Sequence, residues 1–445
     1  MTKKVIVIGC GAAGGTAAQF AKKTEREVEV VILEKGKFAQ YSKCALPYLI
    51  SGKVENVIEF SEKWFEKAGI DIFLRTEVVK IDSGKKFVYV KGSKEGKMGY
   101  DSLVIATGAK ACIPKIEGIE ANGGLKEGIF TLRNMEDALA IRSYMENCEK
   151  ALIVGAGLVG LELAEALKSK GIDVTVVEMF PYILPSFLDP DMSMYLLEKI
   201  KDQAEILTNC KLEKVEKEKR FRSHIRINGR KETILSDMIV LCTGIEPETS
   251  IAREAGCKIG EKRGIVVNSR CETSVKDIYA AGDCTEYLDM VTGKPVVTGL
   301  GSTAVRQGMV AGINSVGGLT EIGEGFLQTR TAKIFGIEIA GVGPIAKLIN
   351  RAIYGKYRGK TLPQYYPGGE DIMVKVAMNN EKEILGMQAI GEGAGLRANM
   401  VATAMANKMK ADVFAGMETA YAPPVAPVFD PVSIAFKVAL RRHGR

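Results

Sequence analysis

Histidine is nearly absent from this 445-residue chain, which has two, and tryptophan occurs once. The nine cysteines form no Cys-x-x-Cys pair, so little is available to assemble a zinc site and no metal is expected. No uncharged apolar run approaches the roughly 18 residues a spanning helix needs, which excludes a membrane partner of that kind. The opening Met-Thr-Lys-Lys and its apolar continuation imitate a secretory leader but read better as a first core strand. An odd cysteine count in a long chain without a leader points to a reducing, cytoplasmic compartment.

What is present is the usual globular mixture, 46% apolar and 26% charged residues, which excludes disorder and fibrous repeats. The length allows about three domains at roughly 150 residues each. The net charge is +7, but Lys and Arg are interspersed with Asp and Glu. That pattern argues against a nucleic-acid partner and suits a phosphate-bearing small molecule.

Residues 5–9 read as a buried parallel strand running into Gly9-Cys10-Gly11-Ala12-Ala13-Gly14. A helix to about Lys23 and a strand from Val28 to Leu33 follow, ending on Glu34. Gly9 permits the tight turn, Gly11 a close pyrophosphate, and Gly14 close packing of helix on strand. The helix start offers free N–H groups to the phosphates, and Glu34 can accept from ribose hydroxyls. The pattern recurs: residues 151–154 lead into Gly155-Ala156-Gly157-Leu158-Val159-Gly160, a helix to about Lys168, and a strand 174–177 ending at Glu178. Two dinucleotides imply electron passage between a nicotinamide and a flavin. Glu178 favours the free ribose of NADH, while nearby lysines act against that preference, so NADH and NADPH both stay open.

A third element, residues 273–283, reads as a short strand delivering Gly282-Asp283. With Ala106-Thr107-Gly108 and Cys242-Thr243-Gly244, the whole chain resembles the pyridine nucleotide–disulfide oxidoreductase family. The resemblance gives the first glycine-rich loop to FAD and the Asp283 carboxylate to the ribityl chain; the plainer alternative is that Asp283 caps a following helix. The cofactor residues it implies are Gly9, Gly11, Ala12, Ala13, Gly14, Glu34, Lys35, Val79, Ala106, Thr107, Gly108, Arg133, Gly155, Gly157, Leu158, Val159, Gly160, Glu162, Glu178, Gly244, Gly282, Asp283, Gly301, Ser302, Thr303 and Ala304. The expected fold class is α/β: two doubly wound, Rossmann-like domains and a C-terminal α+β dimerisation domain. The boundaries expected are 1–112 with 245–322 for FAD, 113–244 for NAD(P), and 323–445 for dimerisation. The last is expected to contain strands at Ala332 to Ile339 and Ile372 to Met378 and a helix near 396–408, and a helix near Ser302 is expected to point its start at the flavin.

One cysteine stands apart. Cys44, in Tyr41-Ser42-Lys43-Cys44-Ala45-Leu46-Pro47-Tyr48, lies beyond a strand end on the ligand-binding face of such a fold. In the first turn of a helix and beside Lys43, its thiol pKa is expected to fall; an inert buried thiol is the plainer reading. No other cysteine lies within six residues, so Cys44 works alone, through a mixed disulfide, persulfide or sulfenate. Its surroundings resemble the CoA disulfide reductases among the single-cysteine members. The histidine that peroxidase and oxidase relatives carry in the first loop is missing, and His224 and His443 read as surface residues.

Acid catalysis then falls to tyrosine. Tyr365, in Tyr-Tyr-Pro-Gly-Gly, and Tyr421, in Ala-Tyr-Ala-Pro-Pro, match by position the segments that reach over the partner's site in the resembled enzymes. Packing at a dimer interface is the alternative for both. The CoA residues implied are Thr16, Phe20, Lys23, Gln40 and Lys43, with Lys22 as a further phosphate contact, against solvated surface charge. The expected activity is homodimeric, FAD-dependent NAD(P)H reduction of CoA disulfide, CoA persulfide or polysulfide through Cys44. The alternatives are an NADH oxidase reducing O2 and a non-catalytic flavoprotein sensor.

Overall fold

The computed structural model describes residues 2–121 and 123–443. Its first sheet is wholly parallel, in the order Ile278–Ala280, Ser102–Ile105, Lys4–Ile8, Glu29–Leu33, Ile70–Phe73. The central strands are β-branched and buried because both faces are covered, one by helices Ala12–Thr24 and Gly301–Ser315 and the other by the antiparallel sheet Thr76–Asp82, Phe87–Gly92, Gly96–Gly99 with helix Ser250–Glu254. Strand Ile278–Ala280 joins from far down the chain, so the first sheet closes around an inserted unit.

Helix Ala12–Thr24 crosses helix Gly301–Ser315 at backbone contact. A Cβ on Gly308 would sit 2.4 Å from the Ala13 carbonyl oxygen, and one on Gly312 2.2 Å from that of Ala17. Only glycine permits that approach. It brings the starts of both helices to the carboxyl edge of the first sheet, where ligands bind in open α/β folds.

The inserted unit repeats the plan, with parallel strands in the order Ile129–Thr131, Met238–Leu241, Lys150–Val154, Asp173–Val177, Glu205–Leu207. The two crossings between the sheets run side by side, Ala109–Ala111 antiparallel to Ile245–Pro247. Thr107 Oγ1 donates to the Glu248 carbonyl and Thr243 Oγ1 to that of Cys112, both at 2.6 Å, which ties the crossings together.

The C-terminal unit is an antiparallel five-stranded sheet with helices Ala394–Ala406, Ala411–Gly416 and Pro431–His443. The expected strand from Ala332 to Ile339 is in fact a hairpin, Arg330–Ile334 and Ile337–Val342. Phe335 (φ 46°) and Gly336 (φ 78°) form its two-residue turn. Both left-handed, they suit the tight turn of a twisted hairpin, and a phenylalanine there hides the break. The expected strand near 372–378 is Asp371–Met378. No helix among the described residues is long and apolar enough to cross a membrane.

Candidate functional site

The glycine-rich turns are near copies. Gly9 (φ 99°) and Gly155 (φ 106°) make left-handed turns, and a Cβ on either would fall 2.4 Å from a carbonyl oxygen, of Ala106 and Cys242 respectively. A Cβ on Gly14 would lie 1.9 Å from the Gly9 oxygen, and one on Gly160 2.0 Å from that of Gly155. At Gly11 and Gly157, by contrast, no atom lies within 4 Å of the added carbon. The middle glycine of each turn therefore faces open space, in front of helices that start at Ala12 and Leu158 with no side-chain cap. This cradle, lined by unpartnered N–H groups, fits a dinucleotide pyrophosphate.

Each turn is locked by its acid. Glu34 Oε2 accepts from the Cys10 N–H and Oε1 from that of Gly36, both at 2.6 Å. Glu178 Oε2 accepts from Ala156 at 2.8 Å and Oε1 from Phe180 at 2.9 Å.

Around the first turn, a Cβ on Gly282 would come 2.9 Å from Ala13 Cβ and 3.7 Å from Ala304 Cβ. The Gly282-Asp283 corner and the two helix starts thus meet at one point. Asp283 forms a half-buried ion pair with Arg133, whose Nε donates to the Ala109 carbonyl at 2.9 Å. A strand, Thr285–Leu288, follows Asp283, so the helix-cap alternative falls. Thr303 and Ala304 are buried at the start of helix Gly301–Ser315. Lys35 is exposed, and Val79 is exposed at an irregularity in strand Thr76–Asp82. Gly108 and Gly244 are both left-handed, with open space in front.

Cys44 sits in the single turn Lys43–Ala45, ahead of the six-residue helix Leu46–Ser51. A Cβ on Gly301 would lie 3.9 Å from its sulfur, so the thiol faces the start of helix Gly301–Ser315. It is exposed, although enough protein surrounds the sulfur for burial to lead the shift in its pKa. The expected fall in its pKa is overturned: burial, then Glu162 and Asp283, push the thiol up, with Arg133 opposing. A short helix dipole is outweighed by desolvation and two carboxylates. Lys43 does not rescue the thiolate, because burial and Arg133 lower its own pKa.

Sequence reasoning passed over Tyr48, although it lies four residues, one helical turn, past Cys44. Its phenol is pushed up by burial, Glu162, Glu165 and Cys44, which sets helix Leu46–Ser51 against helix Leu158–Lys168. Glu162 rises to about 7 through burial and its neighbour Glu165. Tyr287 was also passed over; its hydroxyl lies 2.7 Å from Thr298 Oγ1 and pins the loop before Gly301.

The five residues implied for CoA differ in exposure. Thr16 is buried on the first helix itself, and Gln40 is buried in strand Gln40–Tyr41 against Gly15 of that helix, its Oε1 accepting from Gln19 at 3.2 Å. Phe20 and Lys23 are together outside, the ammonium 4.9 Å from the ring centre. Lys43 is half-buried, with Arg133 and Asp283 among the charges acting on it. Lys22 donates to the Val28 carbonyl at 2.9 Å, so the expected phosphate contact is given over to its own loop.

Tyr365 and Tyr421 come together, their hydroxyls 2.8 Å apart, and both are exposed. That hydrogen bond raises the Tyr365 pKa. Exposed Val425, Val428 and Phe429 adjoin Tyr421 in sequence. The groups acting most on Cys44 are Glu162, Asp283, Arg133 and Glu59, none from the C-terminal unit. His224 lies in strand Phe221–Ile227 against Glu216, and His443 contacts the Asn380 carbonyl. Among the described residues, no cluster of three or more metal-ligating side chains occurs.

Two family models match: "Pyridine nucleotide-disulphide oxidoreductase" over residues 3–308, and its "dimerisation domain" over residues 330–432. A Methanocaldococcus jannaschii protein named NADH oxidase is 37% identical, covering 99% of both chains. A Pyrococcus abyssi protein named NAD(P)H sulfur oxidoreductase (CoA-dependent) is 34% identical over 98% of both. Among solved structures, a NAD-dependent persulfide reductase from A. fulgidus superposes with a TM-score of 0.93 at 33% identity, covering 99% of this chain and 84% of that one.

Proposed function

The chain belongs to the pyridine nucleotide-disulphide oxidoreductase family, and from that premise we propose that it is a homodimeric, FAD-dependent NAD(P)H reductase of CoA disulfide, CoA persulfide or polysulfide. The observation that carries this reading is one exposed thiol, Cys44, facing the start of helix Gly301–Ser315 beside the Asp283–Arg133 pair. The CoA-dependent name of the Pyrococcus abyssi relative and the persulfide reductase title of the A. fulgidus structure support the acceptor class.

The first glycine-rich turn with Glu34, Arg133 and Asp283 would hold FAD, and the second with Glu178 the pyridine nucleotide. FAD supplies a two-electron relay between that coenzyme and the sulfur at position 44. The Cys44 thiolate attacks one sulfur of CoA disulfide, forming a Cys44–CoA disulfide and expelling CoA thiolate. Two electrons from NAD(P)H then cleave that bond, so one NAD(P)H and one proton yield two CoA thiols. In a homodimer the Tyr365–Tyr421 pair of one subunit would reach the site of the other and protonate the leaving thiolate.

The test is anaerobic oxidation of NAD(P)H with each sulfur acceptor. Cys44→Ser should retain FAD and lose disulfide reduction, and normal turnover by that variant refutes the scheme. A second reading, reduction of O2, is favoured by the name of the Methanocaldococcus relative; coenzyme oxidation that needs oxygen and ignores CoA-bound sulfur would select it.

A further inference from the structure

We infer that Gln307 is a positioning residue for FAD, one that fixes the Gly282-Asp283 corner against helix Gly301–Ser315 without touching the cofactor itself. The inference deepens the assignment of the first turn to FAD, made under the proposed function, and rests on it.

Glutamine inside a helix ordinarily reads as solvated surface, yet Gln307 is 0% exposed. Its Oε1 accepts from the Gly282 N–H at 2.8 Å and lies 3.1 Å from Thr285 Oγ1. Thr285 closes the corner from the other side, its N–H and its hydroxyl donating to the Gly282 carbonyl at 2.9 and 2.8 Å. Only the carboxamide oxygen can meet an N–H, so the amide has one orientation. That orientation leaves Nε2 buried with no hydrogen-bond partner among the described residues.

The reason for a polar side chain here lies in the backbone of the corner. The Ala281 N–H still pairs with the Ile105 carbonyl at 3.0 Å, as a strand residue should. One residue on, the chain turns at left-handed Gly282 (φ 84°), and its N–H leaves the sheet. Gln307 supplies the acceptor that the sheet no longer offers, and a buried N–H without one is costly. Having no surface of its own, Gln307 acts through Asp283, whose carboxylate pairs with Arg133. The same helix begins at Gly301, against the Cys44 sulfur. The carboxylate that would meet the ribityl chain and the thiol that would receive its electrons are thereby set by one helix.

The test is FAD affinity, read from the flavin fluorescence released on diluting the holoenzyme. Gln307→Leu leaves the Gly282 N–H without its acceptor, and the FAD dissociation constant should rise by about tenfold to 100-fold. Gln307→Glu adds a pH readout. Burial and Asp283 favour the neutral form of the introduced carboxyl, and Arg133 opposes them. At about pH 5.5 that neutral form keeps an oxygen for the Gly282 N–H and should hold FAD as the wild type does. At about pH 9 it ionises with its second oxygen cut off from water, and affinity relative to the wild type at the same pH should fall about tenfold. The thiols beside this point do not titrate in between. Cys271, whose Sγ lies 3.5 Å from the Gln307 carbonyl, is pushed by burial to about 12, and Cys284 to about 11. Wild-type affinity in Gln307→Leu overturns the inference. So does a Gln307→Glu variant whose affinity relative to the wild type is the same at both pH values. Failure of the wild type to bind FAD overturns the reading of the first turn instead.

Discussion

Glu162 offers the sharpest quantitative test of the site. Its carboxyl is pushed from 4.5 to about 7 by burial against helix Leu46–Ser51 and by Glu165. A group whose folded pKa is raised stabilises the fold while protonated, in full below about pH 4.5, and that contribution is lost as pH rises through 7. The ceiling on the loss is about 3 kcal/mol, and partial access of water brings the expected value nearer to 1–2 kcal/mol. Glu162→Gln keeps the shape and removes the titration. At pH 5 the variant should melt with the wild type; at pH 8.5 it should melt several degrees higher. Because the chain has several domains, melting midpoints at the two pH values are the proper comparison. Glu162 is also the leading charge that raises the Cys44 thiol. The pH midpoint of Cys44 alkylation by iodoacetamide should therefore move down in the variant. Equal melting shifts at both pH values together with an unmoved alkylation midpoint would refute the placement of Glu162 beside Cys44.

The twin turns predict a clean separation. Gly14→Ala should abolish FAD retention, read by flavin absorbance of the purified protein, because its Cβ would lie 1.9 Å from a backbone oxygen. Gly160→Ala should instead abolish NAD+ binding with FAD retained, and loss of both ligands in either variant contradicts two independent sites. Tyr421→Phe should remove the basic limb of the pH–rate profile for disulfide reduction while leaving alkylation of Cys44 unchanged; an unchanged rate profile excludes an acid role. Lys375 bridges Asp189 at 2.6 Å and Asp191 at 2.9 Å across the boundary with the C-terminal sheet, its side chain 11% exposed. Lys375→Met should cost about 3 kcal/mol, seen as a lowered melting midpoint, since buried Asp189 is left without its cation while Asp191 keeps Lys356. A melting midpoint unchanged from the wild type would contradict that role.

Short, contiguous patterns are the parts of this molecule that its sequence makes legible. The two glycine turns, Glu34 and Glu178 owe their geometry to residues within a single strand–turn–helix unit, so spacing alone places them. The position of Cys44 follows from the same logic. Its ionisation does not, because the deciding groups, Glu162, Asp283 and Arg133, come from three distant segments. Thr16 and Gln40 are hidden for a related reason. A polar residue reads as surface until its tertiary cover is known, and for Gln40, in strand Gln40–Tyr41, that cover is the first helix, which Gly15 lets approach. The turn at Phe335-Gly336 is masked because alternation of apolar residues continues through it while the chain reverses.

That same turn bears on the chemistry. The Phe335 N–H donates to Glu165 Oε2 at 2.6 Å, and Glu165 lies one helical turn from Glu162, on the same side of helix Leu158–Lys168. The helix that presents the second turn to its dinucleotide is thus fastened by the C-terminal unit at the point where it faces Cys44. The Lys375 bridge to Asp189 and Asp191 fastens the same inserted unit at a second place. Swinging the inserted unit about its paired crossings would break both fixings, the half-buried Phe335–Glu165 hydrogen bond and the buried Lys375–Asp189 pair. The helix carrying Glu162 is thereby tied to the C-terminal sheet through the residue one turn from the group that acts most strongly on Cys44.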